Sequence, residues 1–250
     1  MSDLTDHPEN RLKDSASPYL RSAARQPIDW HEWGDAAFAR AKSEDKPILL
    51  DIGAVWCHWC HVIDRESYEN LEIAKIINEH FVAVKVDRDE RPDVDSRYQS
   101  AISSISGQGG WPLTGFLLSD GKPFFGGTYF PPDDQMGRPG FRRVLLAVAD
   151  SYRNKRAELE RAANSLADAV SQAEVFTGAR AELDPVDVRS RRVGVRPDVA
   201  GGERIDRAAV LELREVDVVR SLQDVAEDGP AFLHVVADAN ERRDVPVLER

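Results

Sequence analysis

Cysteine is almost absent from this chain: two in 250 residues, Cys57 and Cys60. That excludes a framework of structural disulfides, which needs several pairs spread along the sequence. No apolar run is long enough to span a bilayer, so a membrane is not an expected partner. Basic residues are in deficit, with 33 Lys and Arg against 44 Asp and Glu and a formal net charge of −11. A nucleic-acid groove or an anionic surface calls for the opposite balance. Met1 to Asn10 lacks the basic and apolar regions of a signal peptide, so a cytoplasmic location is expected. Residues 178–250 contain no Lys, Trp or Tyr and a single Phe, Phe232. Such a stretch buries little apolar area per residue.

What is present reads as a well-patterned α/β chain. Hydrophobic residues make up 42% of it, enough for one good-sized domain with a real core. Residues 1–9 read as a disordered tail. Trp30 and Trp33 flank the start of a helix that Pro47 closes. Pro47 to Gly53 carries an apolar run, and Ile48 to Ile52 reads as the first strand. Helix follows from Cys57, with a kink or new start at Asn70. Phe81 to Asp87 is a second strand, rich in β-branched residues. Asp87 to Asp93 is a charged loop, and Val94 to Ile105 is helical. Leu113–Leu118 and Pro123–Tyr129 are two more strands around a turn at Ser119–Lys122. Phe141 to Ala173 has one long helical pattern. The order predicts a mixed sheet with helices on both faces and the cysteines at the carboxyl end of its first strand. The expected organisation is a domain over 10–137, its helical extension over 138–176, and an uncertain or weakly ordered 177–250.

The chemistry gathers at Trp56-Cys57-His58-Trp59-Cys60-His61. A Cys-x-x-Cys pair at a strand-to-helix step is a redox context. Free N–H groups at a helix start favour a thiolate. Cys57, at the helix start, is the expected attacking sulfur, and Cys60, one turn in, the resolving one. His58 and His61 add positive charge when protonated. Trp56 and Trp59 offer a flat apolar surface to a substrate chain. Asp51 lies six residues before Cys57 inside the buried strand. An isolated carboxylate there is costly, so it is expected to be partly protonated and poised for proton transfer, with Lys85 as partner. Pro112 opens the third strand. A cis Trp111–Pro112 bond would free the Trp111 backbone to pair with an extended substrate.

Leu49 to Cys57, with Lys85 and Pro112, resembles the thioredoxin pattern of buried Asp, Trp-Cys-x-x-Cys, strand Lys and cis-Pro. More narrowly, Cys57-His58-Trp59-Cys60-His61-Val62, Val86 to Asp93 and Gly109-Gly110-Trp111-Pro112-Leu113-Thr114 resemble the spermatogenesis-associated-protein-20-like thioredoxin domain. Ser15-Ala16-Ser17-Pro18-Tyr19-Leu20 and Gly126 to Pro132 do so too. The resemblance covers about residues 10–175. It implies a thioredoxin-like mixed sheet flanked by helices and a thiol–disulfide activity. His58-Trp59 stands between the cysteines where thioredoxins proper carry Gly-Pro, so their redox potential does not transfer. Family members continue into a large helical barrel resembling sugar epimerases, which residues 178–250 do not match. A truncated form is expected, with an altered reading frame near Phe176-Thr177-Gly178-Ala179.

The leading expectation is therefore a thiol–disulfide oxidoreductase. Its catalytic groups are Cys57, Cys60, Asp51 and Lys85, and its substrate-binding groups Trp56, His58, Trp59, Trp111 and Pro112. Its partners are protein or small-molecule thiols and disulfides, and it uses no cofactor beyond the cysteine pair. Two other readings stay open: a non-catalytic binding module built on the tryptophans, and a metal-binding dithiol. Lys85 could instead snorkel to the surface. Asp87 to Asp93 resembles a metal loop, but a solvated, ion-paired loop is the simpler reading.

Overall fold

The computed structural model describes residues 8–135 and 139–179, with backbone alone for 172–179. Its centre is a five-stranded mixed sheet in the order β1-β3-β2-β4-β5. β1 is His31–Glu32, β2 Ile48–Gly53, β3 Val82–Asp87, β4 Leu113–Leu117 and β5 Pro123–Gly127. β2 pairs in parallel with β3 and antiparallel with β4. Every residue of β2 and β3 is buried, as expected of parallel strands covered on both faces.

Alternation along β2 sorts the two cores. Ile48, Leu50 and Ile52 join Val82, Val84 and Val86 against α2 (Asp35–Ser43) and α5 (Pro92–Ser106). Leu49, on the opposite face, joins Ala83 and Phe116 in the larger core with Tyr19, Ile63, Ile77 and Leu145. Those residues come from α1 (Pro18–Ser22), α3 (His58–Ile63), α4 (Leu71–His80) and α6 (Phe141–Asn154). Leu159, Ala163 and Leu166 of α7 (Arg156–Ala179) pack into the same core.

Three local expectations need correcting. Trp30 and Trp33 flank a strand rather than a helix start. His31 and Glu32 pair with Val84 and Lys85, and α2 begins only after Gly34. Two residues show no periodicity, so this strand leaves no pattern to read. The cysteines therefore follow the second and central strand, not the first. The long pattern over Phe141 to Ala173 is two helices with Lys155 between them; neither Gly nor Pro announces that break. Asn70 does start a new helix: its side chain accepts from the N–H groups of Glu72 and Ile73, as an N-cap does. Apart from the backbone of α7, the expectations for residues 177–250 lie outside the described residues, as do those for residues 1–7.

Gly126 shows how closely α5 sits on the sheet. A β-carbon there would lie 2.6 Å from the Thr114 carbonyl oxygen and 3.0 Å from Ile102 Cγ2. Backbone cannot yield cheaply, so overpacking should cost about 1–3 kcal/mol. Gly126→Ala is expected to lower the urea midpoint accordingly; an unchanged midpoint would show that the strand and α5 can separate freely.

Candidate active site

The site is built where β2 ends. Cys57 caps the N-terminus of α3, and its Sγ accepts from the Cys60 N–H at 3.1 Å. The two sulfurs form a disulfide. Cys57 retains 6% exposure and Cys60 none, so the outer sulfur is the one the sequence marked for attack. Ile52 pairs with Leu113, which brings Pro112, one residue earlier, to the same end of the sheet. The Trp111–Pro112 peptide is cis. Trp56 and Trp111 meet edge to face at 5.8 Å, and Arg88 lies over the Trp111 ring at 4.2 Å. Trp111 Nε1 donates to Asp95, and Trp56 Nε1 to Asp89. On the other side Trp59 packs on Tyr129 at 5.1 Å. Trp56 and Trp59 remain 57% and 52% exposed. His58 is exposed beside Trp59, and His61 Nε2 is 2.7 Å from the Val55 carbonyl oxygen. Pro112 is buried behind this rim.

Beneath the sulfurs lies a sealed polar cluster. Asp51 and Lys85 are register partners on adjacent parallel strands. Lys85 Nζ donates to Asp51 Oδ2 at 2.6 Å and to Asp64 Oδ1 at 3.0 Å. It also sits about 5 Å from the ring centroids of Tyr19, Trp30 and Tyr68, where cation–π attraction replaces lost hydration. Tyr68 Oη donates to Asp51 Oδ1 at 3.1 Å, and Tyr19 Oη lies 3.4 Å from Oδ2. Gln26 Nε2 donates to Asp64, and Trp30 Nε1 to Gln26. Asp64 and Tyr68 enter from a π-helical turn, Asp64–Tyr68, that follows α3. Such widened turns recur at functional sites.

Asp51 is thus buried and paired with Lys85, the partner expected for it, and Asp64 shares that lysine. Lys85 is fully buried rather than snorkelling. Burial raises the Asp51 carboxyl above its ordinary 3.8, and Lys85 only partly opposes that rise. Burial alone would depress Lys85, but Asp51 and Asp64 outweigh it and hold the ammonium above its ordinary value. Two carboxylates facing one cation leave a place for one further proton.

Tyr19, Asp64, Tyr68 and Gln26 were not picked out as site residues. Asp64 follows Cys60 by four positions, one helical turn, and that spacing was the available signal. Tyr19 sits inside the quoted Ser17-Pro18-Tyr19-Leu20 stretch, but nothing in sequence brings it to the dithiol. The charged loop is ion-paired, through Arg91–Asp93 and Arg88–Asp95. Among the described residues, no three His, Cys, Asp or Glu side chains gather to hold a metal ion.

A mixed sheet with helices on both faces, with Cys57 capping the helix that follows its central strand and Cys60 one turn in, defines a protein of thioredoxin-like fold. The chain belongs to the family Thioredox_DsbH, described as a protein of unknown function, DUF255, whose model matches residues 9–171. It is 45% identical to human spermatogenesis-associated protein 20 over 177 residues, covering 70% of this chain and 22% of that protein. It is 49% identical to the uncharacterized protein B0495.5 of Caenorhabditis elegans over 152 residues, 61% of this chain and 21% of that one. The chain thus spans about a fifth of the length of the curated relatives it matches. Among solved structures it is similar to a DsbH oxidoreductase, at 19% identity, over 51% of this chain and 85% of that one, with a TM-score of 0.39. A putative disulphide-isomerase from Bacteroides thetaiotaomicron matches at 22% identity, over 52% and 95% of the two chains, with a TM-score of 0.38.

The raised Asp51 sets a pH dependence. A carboxyl whose folded-state pKa is raised contributes stability that is full below the unfolded 3.8 and is lost as pH rises through the folded value. Asp51→Asn removes that titration, so the variant should gain on the parent as pH is raised from about 4 to about 8. Urea midpoints across that range test this, and parallel curves for the two proteins would contradict it.

Proposed function

We propose that this domain is a thiol–disulfide oxidoreductase in which Cys57 attacks and Cys60 resolves. The observation that carries the reading is the disulfide itself, with Cys57 capping a helix and accepting an N–H bond. A donor aimed at that sulfur favours the thiolate once the pair is reduced. The Cys57 thiolate attacks a substrate disulfide, forming a mixed disulfide and releasing one substrate thiolate. Cys60 then displaces the second substrate thiolate and closes the Cys57–Cys60 bond. The substrate gains the electron pair that the dithiol loses, and an external dithiol restores the reduced form. Asp51, a carboxylate beside Lys85 before the step, takes the proton from Cys60 as it attacks and becomes the neutral acid, while Lys85 stays paired with Asp64.

Substrates on this reading are protein or small-molecule disulfides. Trp56, His58, Trp59 and Trp111 form the surface on which an extended chain lies, and Pro112 fixes the Trp111 backbone beside the sulfurs. The exposure of Trp56 and Trp59 also favours a second reading, a non-catalytic module that docks a partner on this rim. Insulin reduction by dithiothreitol separates the two. Cys57→Ser should abolish turnover, and Cys60→Ser should accumulate the mixed disulfide. A Cys57→Ser variant as active as the parent would refute the oxidoreductase reading.

A further inference from the structure

Tyr19 is held at the dithiol by interactions remote from it. Ser17 caps α1 by accepting from the Leu20 N–H at 3.1 Å, and its hydroxyl donates to Asp87 Oδ2 at 2.6 Å. Asp87 ends β3 and is the register partner of Gly53, the last residue of β2. The N-terminal segment is thereby pinned over the carboxyl ends of the central strands. Tyr19, one residue into α1, is fully buried.

Gly53 shows where the Tyr19 hydroxyl goes. A β-carbon at this position would lie 2.2 Å from Tyr19 Oη and 2.8 Å from Cys60 Sγ. The hydroxyl and the inner sulfur therefore share the space that a side chain would otherwise fill. The same hydroxyl is 3.4 Å from Asp51 Oδ2. That contact is long for a hydrogen bond, as catalytic contacts often are away from the reacting state. Tyr68 also reaches Asp51, through the other carboxylate oxygen. Tyr68 thus supplies a control: a hydroxyl on the same carboxyl that is not tied to the Gly53 site.

We propose that the Tyr19 hydroxyl is the proton relay between Cys60 and Asp51 in the resolving step. The inference rests on the oxidoreductase reading and assigns a path within it. As Cys60 Sγ attacks Cys57 Sγ in the mixed disulfide, the Cys60 proton passes to Tyr19 Oη. The Tyr19 proton passes to Asp51 Oδ2 in the same event, so no tyrosinate forms. The Cys60–Cys57 bond forms, and the bond from Cys57 to substrate sulfur breaks. Substrate leaves as a thiolate carrying the electron pair.

Reduced protein mixed with dithiobisnitrobenzoate reads the two sulfurs separately. Attack by Cys57 releases the first thionitrobenzoate in a reagent-dependent phase, and Cys60 releases the second in a unimolecular phase. For Tyr19→Phe the second phase should slow at least about tenfold near neutral pH and become steeply pH-dependent, following the ionisation of Cys60 alone. The first phase should be unchanged, and Tyr68→Phe, which removes a hydrogen bond to Asp51 but no group on the path from Cys60, should not reproduce that steep pH dependence. A Tyr19→Phe second phase equal to the parent's across pH overturns the relay. So does equal slowing in Tyr19→Phe and Tyr68→Phe, which would mark a general effect on Asp51. If Tyr19→Phe does not fold, a fluorinated tyrosine at position 19 keeps the shape with a more acidic hydroxyl. Its second-phase pH profile should then shift, and an unshifted profile overturns the relay. A parent without a second phase overturns the oxidoreductase reading and the relay together, whereas a two-phase parent with an unaffected Tyr19→Phe overturns the relay alone.

Discussion

A lysine ammonium buried between two carboxylates is the constraint around which this domain is arranged. Taking one such ion out of water costs several kcal/mol, and that cost is offset only where geometry and hydrogen bonding are close to complete. Lys85 meets both conditions: it reaches Asp51 across a parallel strand pair and Asp64 from a π-helical turn, and three aromatic rings face it. These partners come from three parts of the chain. The central strands, the segment after α3 and the N-terminal segment carrying Tyr19, Gln26 and Trp30 must all be in place for the charge to be tolerated. Removing Lys85 would leave two buried carboxylates without a counter-ion, so the cluster links these elements cooperatively.

The cluster also explains why the dithiol sits above a reservoir of proton affinity. Asp51 occupies β2, the strand that delivers the chain to Cys57. A charged residue interrupts the apolar character of that strand but not its alternation: Leu50 and Ile52 face one core, while Asp51 shares the other face with Leu49. An apolar residue would pack at that position at lower cost. On the proposed reading, a carboxyl there, with its pKa raised by burial, is the base for an inner sulfur that is sealed from solvent. The outer sulfur has the opposite setting, at the edge of an aromatic rim. Burial thus separates the two roles across one helical turn.

Much of this was legible in the sequence, and the exceptions have physical causes. β2 and β3 announced themselves because strands covered on both faces are continuous apolar runs. Cys57 and Cys60 were marked by spacing, and Asp51 and Lys85 by being charged inside such runs. β1 was illegible because a two-residue strand is fixed by its partner and has no period of its own. Asp64 stood at helical spacing from Cys60 but with no partner in view, and Tyr68 was hidden by the π-helical turn, which departs from the regular helical period. Tyr19 and Gln26 reach the cluster through tertiary packing, anchored by Ser17 on Asp87, a contact between residues far apart in sequence. The division of Phe141 to Ala173 into two helices had no Gly or Pro to signal it.

The central claim is that the cysteine pair is chemically primed, and the reactivity of Cys57 in the reduced protein tests it most directly. Its alkylation rate against pH should reach half its maximum well below the ~8.5 of an unperturbed thiol. A midpoint at or above that value would contradict the account.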